Sequence, residues 1–480
     1  MSNSIKKTAI TAHPLVGQET FTVFNPSTGE AIANISDCQP QDAENALKEA
    51  CHSLESWRSL DYKQRISKVE SWTGLLRDHL EDIAKIACSE MGKPINEARG
   101  EVEYSIEILQ QQMAAAHREF EDTPTSFCYE GNLARQGVGV VLAITPWNFP
   151  IASVVVKLGA AFVSGCPVVL KPAEDTPLTA IALGDLAIQG GIPQGVLQVL
   201  PCSDPRRVAP VLLDSHHIRL VSFTGSIGVG RTIMAQASPT IKRLAFELGG
   251  NAPFVVFEDA DLDNAAENAM GARFYNSGQI CIGANRFLVK EAILEDFVSR
   301  IIPKIQSLKV GPGSDPATDI GPMVNQKAAD RIMHLVEQAR SQGARLLLGG
   351  GPHKLGRSFL QPTIIKDVTP EMEIYHTEIF GPVVSITTLP DSMSDEEVLA
   401  MAEDVDAGLS AYVFSSSQTR LDHAARYLNV GMLGLNTADI CRIHLPFGGV
   451  KQSGLGHEGG QHPLEDFLTN KAIVQQEAGS

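Results

Sequence analysis

Residues 139–171 read GVVLAITPWNFPIASVVVKLGAAFVSGCPVVLK, and their pattern decides the fold. GVVLAI is a short apolar run of strand length. Pro146 and Pro150, with Asn148 between them, break the chain into a turn and open a helix over the next apolar stretch. PVVLK is a second strand-like run. Strand, helix and strand at this length require parallel pairing through a right-handed crossover. The alternation continues through PLTAIALGDLAIQGG (177–191), GVLQVL (195–200), RLVSFTG (219–225) and SIGVGRTIMAQA (226–237), so the pattern predicts a doubly wound α/β sheet.

A second series starts near Leu244. RLAFEL and PFVVF precede a predicted helix over 262–275 and the strand-like RFLVK. Beyond the Pro/Gly-rich KVGPGSDPATDIGP (309–322), helical and strand patterns resume to about residue 430. The change of series at 249–251 is the expected domain boundary. Upstream, the first 120 residues read as helices: one carries Ala43, Ala46, Leu47, Ala50 and Leu54, one carries Ile66, Val69, Leu76, Leu80 and Ile83, and a third spans about 95–120.

Composition narrows the function. The chain has 480 residues, a formal charge of −17 and a pI near 5.2, a balance opposed to nucleic-acid or anionic-membrane partners. Its 8 cysteines show no C-x-x-C and no ligand-like spacing, which predicts neither a metal site nor a disulfide framework. The start of the chain is a poor secretory leader, and a reduced, cytoplasmic protein is expected. The stretch 138–156 carries no charge over 19 residues, but its two prolines make strand, turn and helix a better reading than a membrane span.

Four short motifs offer chemistry. In NSGQICIGANR (276–286), Cys281 sits among small polar residues, whereas most unpaired cysteines are core hydrophobes. FTGSIGVGRT (223–232) ends a strand and opens a helix whose N–H groups can face an anion. It approaches a P-loop through Gly225, Gly230 and Thr232, but Arg231 stands where lysine belongs, and a dinucleotide pyrophosphate suits the same turn. Asn148 is either an oxyanion donor or the side chain of an Asx turn. Glu247 in FELGGN, and Lys171 with Glu174 in VVLKPAEDTP, either reach a cleft or are solvated charges.

Together, ITPWNFP, KPAEDTP, FTGS, ELGGNAP, GQIC and EIFGPV, in that order, resemble the NAD(P)-dependent aldehyde dehydrogenase superfamily. The resemblance runs from FNPSTGE (24–30) to PFGGVKQSGLGHEGG (446–460) and is strongest to the succinate-semialdehyde dehydrogenase branch. It implies a Rossmann-like NAD-binding domain (1–119 and 138–249), a second α/β catalytic domain (250–449), and a small oligomerisation or bridging part (120–137 and 450–480). It implies Cys281 as nucleophile, activated by a local field that raises its thiolate fraction, Glu247 as general base, and Asn148 with the Cys281 backbone N–H as oxyanion hole. Lys171 and Glu174 would hold the adenosine ribose. Trp147, Gly225, Ser226 and Gly230 would lie along the phosphates, and Leu248, Glu378 and Phe380 beside the nicotinamide ribose and ring. Glu174 would repel a 2′-phosphate, which favours NAD over NADP. The presence of Glu247 implies hydrolysis rather than acyl transfer to CoA, and the family's habit implies a homodimer or homotetramer acting on a small aldehyde. The competing readings are a P-loop phosphotransferase and an inactive nucleotide-binding relative.

The resemblance fails at the substrate. The branch grips a distal carboxylate with two arginines, and the matching positions hold Val156 and Tyr275. In NTADICRIHLPFGG (436–449), Cys441, Arg442 and His444 are candidate replacements, with Arg442 able to hold an acid bidentately. Arg286 lies in a strand position that need not face substrate. Gly283 stands where many relatives have a second cysteine, so no redox pair forms there.

Overall fold

The computed structural model describes residues 19–121, 132–356 and 358–474. The start of the chain read above for a leader, part of the expected bridging stretch 120–137, and the end of 450–480 lie outside the described residues.

Parallel strands form the first sheet in the order Arg243–Leu248, Ile218–Gly225, Val140–Ile144, Val168–Lys171 and Leu197–Val199, with Gly454–Leu455 added antiparallel at one edge. Val140–Ile144 comes first in sequence yet lies between Ile218–Gly225 and Val168–Lys171, so the winding reverses beside it. Open α/β sheets bind ligands outside the carboxyl ends of their strands at such a reversal. The loop carrying Trp147 and Asn148 leaves one of these ends, and Ser226 follows the other.

Over 249–251 the chain leaves this sheet and enters a second one, where Ala252–Val256 is the next strand. The order there is Arg345–Leu348, Thr363–Lys366, Val383–Leu389, Ala284–Lys290, Ala252–Val256, Ser410–Phe414 and Met432–Leu435. All neighbours are parallel except the antiparallel first pair. A separate antiparallel ribbon pairs Leu468–Ile473 with Asn132–Gly137.

The central strand is buried on both faces, which explains its unbroken apolar run. Helix Ala152–Ser164 is buried along nearly its whole length because helix Ile95–Glu121 covers it. The two approach closely at Gly159, where a Cβ would stand 2.1 Å from the Gln112 Oε1. Among the described residues no helix is long and apolar enough to cross a membrane. The uncharged run is strand Val140–Ile144, a turn, and the start of helix Ala152–Ser164.

Two readings of the first 120 residues need correction. A hairpin of Thr20–Phe24 with Ala31–Ser36 precedes the helices. It buries only Val23 fully, so its alternation is faint in the sequence. The run from Ile66 to Ile83 is two helices, Tyr62–Asp78 and Leu80–Met91, meeting at His79 with φ −107° and ψ 17°.

Candidate active site

A cleft of about 900 Å³ opens where the two sheets meet, and Cys281, Glu247 and Asn148 all line it. Glu247 ends the edge strand Arg243–Leu248 of the first sheet's parallel set. Cys281 lies in the loop before Ala284–Lys290 of the second sheet. Each sheet therefore contributes reactive groups to one space.

Local backbone conformation explains the small residues before Cys281. Asn276, Ser277 and Gly278 have φ of 52°, 58° and 75°. Side chains disfavour this region, asparagine less than most. A Cβ on Gly278 would sit 2.3 Å from the Gly381 carbonyl oxygen. Hydrogen bonds hold the turn: the Asn276 N–H donates to Glu97 Oε2 at 2.8 Å, and Ser277 Oγ accepts the Gly321 N–H at 2.8 Å. Gln279 Oε1 accepts the Val324 N–H at 2.9 Å.

Asn148 is 6% exposed. Its Nδ2 donates to the Gln279 carbonyl at 3.1 Å, and its own carbonyl accepts from Asn276 Nδ2 at 2.9 Å. The amide thus reaches across to the Cys281 loop and uses one of its two Nδ2 hydrogens there. On helix Ile95–Glu121, one turn beyond Glu97, the Glu101 Oε1 accepts the Ile151 and Ala152 N–H groups at 2.8 and 2.9 Å. Buried Lys93 pairs with the other Glu101 oxygen and lies 4.0 Å over the Phe149 ring. One helix therefore anchors both the Asn148 loop and the Cys281 loop.

The electrostatics correct one expectation. Burial foremost, then coupling to the nearby Glu378, Cys441 and Glu247, pushes the Cys281 thiol well above its ordinary range. The sulfur rests as a thiol. Glu247, 5% exposed, has an Oε2 with no hydrogen-bond partner among the described residues. Burial and the Glu458 carboxylate raise its proton affinity well above the carboxylate range, opposed by Lys157. Lys157, 1% exposed, sits 2.6 Å from Glu458 Oε1. Glu378 is pushed up to about 7 by burial, although it accepts the Gly250 N–H at 3.2 Å.

At the other end of the cleft, Trp147 meets Phe380 edge to face at 5.4 Å, and Gly225, Ser226 and Leu248 line the wall. Ser226 caps helix Ile227–Ala237, accepting the Val229 N–H at 3.3 Å, and the helix N-terminus is exposed. The Thr224 Oγ1 beside it is buried without a partner among the described residues. This exposed N–H array next to an unpaired hydroxyl and the Glu378 carboxylate fits a dinucleotide's phosphates and ribose. Gly230 does not face the cleft. A Cβ there would stand 2.9 Å from both Leu248 methyls, so it lets helix pack on strand. Lys171 and Glu174 also lie outside the lining residues, at the next strand's carboxyl end, with Nζ 3.1 Å from the exposed Glu174 Oε2. Arg231 bonds to Gln452, and Thr232 Oγ1 donates to the Gly228 carbonyl at 3.1 Å, so neither side chain is disposed as in a P-loop.

On the substrate side, Tyr275 stacks on Phe149 with centroids 6.1 Å apart and planes at 20°. Val156 and Cys441 also line the cleft, but Arg442 and His444 do not. The segment alternates, sending Cys441, Ile443, Leu445 and Phe447 toward the cleft, while Arg442 lies at the surface 2.8 Å from Asp439. The proposed acid grip by Arg442 is therefore set aside. Arg286 is a strut: 1% exposed, it donates to the carbonyls of Asn251, Met401 and Ala402. Sequence reasoning missed Lys157, Glu458, Glu97, Glu101, Asn276 and Gln279. Lys157 had a visible cue as the single charge in PIASVVVKLGAAFVSG.

The model of the Aldehyde dehydrogenase family matches residues 15–473. The mitochondrial succinate-semialdehyde dehydrogenase of Oryza sativa subsp. japonica is 41% identical over 95% of this chain and 86% of its own length. A probable succinate-semialdehyde dehydrogenase [NADP(+)] of Sinorhizobium fredii is 40% identical over 96% of this chain and 94% of its own. The crystal structure of succinate-semialdehyde dehydrogenase from Burkholderia pseudomallei superposes with a TM-score of 0.91 at 38% identity, covering 95% of this chain and 94% of that one.

Proposed function

The chain belongs to the aldehyde dehydrogenase family of oxidoreductases, and we propose that it oxidises its aldehyde to a carboxylic acid through a thioester on Cys281, with NAD as the preferred cofactor. The observation that carries the reading is the convergence of Cys281, Glu247 and Asn148 on one cleft.

Cys281 rests protonated, so addition of sulfur to the aldehyde carbon requires the thiol proton to leave. It passes to water in the cleft, which leaves Glu247 Oε2, without a hydrogen-bond partner among the described residues, available for the later step. Addition places negative charge on the former carbonyl oxygen, where the free Asn148 Nδ2 hydrogen and the Cys281 backbone N–H donate. Such donors are worth about 3 to 4 kcal/mol each. A nicotinamide dinucleotide, when bound, supplies the hydride acceptor. Trp147, Ser226, Leu248, Glu378 and Phe380 would hold it, with Lys171 and Glu174 at its far end. Water then cleaves the thioester while Glu247 takes its proton, a task suited to a carboxylate whose proton affinity has been raised. The Lys157–Glu458 pair adjusts that affinity.

The NAD preference rests on the exposed Glu174 carboxylate, which repels a 2′-phosphate. The same reading gives cofactor binding to 1–119 and 138–249, catalysis to 250–449, and contacts between copies in a homodimer or homotetramer to 120–137 and 450–480. The test is Cys281→Ala: aldehyde-dependent NADH formation disappears while NAD still binds. Retained turnover in that variant refutes the mechanism.

A further inference from the structure

Resting on the assignment of Cys281 as nucleophile, we infer that the aldehyde this cleft accepts is uncharged and apolar, aryl or alkyl, rather than one carrying a distal carboxylate. Among the described residues lining the cleft, the only lysine or arginine is Arg331, and its guanidinium donates to the Glu378 and Ile379 carbonyls at 3.1 and 2.7 Å. Nearby cations are already engaged: Lys157 with Glu458, Lys93 with Glu101, Arg442 with Asp439. A distal carboxylate would lose hydration without gaining a positive partner, a costly exchange. It would also meet a lining that includes Glu101, Glu267, Asp439 and Glu458.

A cationic aldehyde fares little better, because each of those four carboxylates already has a basic partner, Glu267 taking Lys304. The unpaired carboxylates Glu247 and Glu378 belong to the reacting end. What remains for the body of the substrate, beside the amides of Gln111 and Asn268, is apolar: Tyr104, Val156, Ile440 and Phe447, with the nearly parallel rings of Phe149 and Tyr275 in the same lining. Removing apolar surface from water is the favourable interaction such a wall offers. The relatives named above are named for succinate semialdehyde. This chain departs from that substrate in having no free cation among the described residues that line the cleft.

The experiment compares benzaldehyde, hexanal and succinate semialdehyde as substrates of the full-length enzyme with NAD and with NADP. Benzamide and succinamate are titrated by calorimetry as binding probes that need no turnover. The expected kcat/KM is roughly tenfold or more higher for benzaldehyde or hexanal than for succinate semialdehyde, with benzamide binding more tightly than succinamate. Tyr275→Arg should narrow or reverse both orders. A wild-type preference for succinate semialdehyde, or for succinamate, overturns the inference. If every aldehyde is silent, the reaction assignment fails, and the order of amide binding still decides the character of the cleft.

Discussion

Replacing Asn148 with alanine separates catalysis from architecture. The structural loss is small. The Gln279 carbonyl that accepts from Asn148 at 3.1 Å also accepts from Asn276 Nδ2 at 3.0 Å, and the Asn148 carbonyl keeps its own bond to Asn276. One hydrogen bond is lost with its acceptor still satisfied, which costs about 1 kcal/mol. Spread over a chain of 480 residues, that corresponds to a fall in melting temperature of about 1 °C. On the proposed mechanism the catalytic loss is larger, because Asn148 would donate where charge appears only after sulfur has added. Such a donor contributes about 3 to 4 kcal/mol, so kcat/KM should fall by roughly 100- to 1000-fold. Steady-state kinetics with NAD, paired with thermal unfolding of the same preparation, checks both values. Asn148→Asp, which keeps the shape but not the donor, should be at least as slow. A kcat/KM within threefold of wild type, or a loss matched by general unfolding, refutes Asn148 as the oxyanion donor.

Glu247 must be ionised to take a proton from water, so its neighbours set the acid limb of the pH profile of kcat. Lys157→Met removes the charge that lowers its proton affinity and should move that limb to higher pH; Glu458→Gln removes one that raises it and should move the limb lower. Parallel movement of the two variants would contradict the coupling. Glu174→Ser should lower the ratio of kcat/KM for NAD over NADP by about tenfold, as expected for removing one charge near a phosphate, and an unchanged ratio discards Glu174 as the discriminating group. Gly278→Ala forces a Cβ toward the Gly381 carbonyl at a φ of 75°, and should cost more than about 2 kcal/mol in chemical denaturation along with most of the activity. An alanine variant of native stability would show that this turn is not constrained as described.

Much of this was legible because the sequence carries two strong periodicities. The strand, turn and helix of 139–171 could be read from apolar runs and two prolines, and the passage between sheets at 249–251 from a change in the series. The hairpin at Thr20–Phe24 and Ala31–Ser36 was hidden because it buries so little. Cys281 stood out by its setting, whereas Glu247 and Asn148 were singled out only through the family resemblance, since their own settings left a solvated charge and an Asx turn open. Their supports could not be read: Glu97 and Glu101 look like solvated charges on an amphipathic helix until the fold brings Asn276, Ile151 and Ala152 to them. Arg442 failed for a related reason, since a segment that alternates sends neighbours opposite ways, and only the fold says which side faces the cleft. The state of Cys281 also escaped, because burial and surrounding carboxylates are properties of the assembled site.

The account stands on a covalent bond between Cys281 and the acyl group, and the most direct measurement is the intact mass of Glu247→Gln after mixing with aldehyde and NAD. The protein should gain one acyl group per chain, on the peptide containing Cys281, with NADH released in a single burst and little turnover afterwards. Sustained NADH production from a chain that remains unmodified would contradict it.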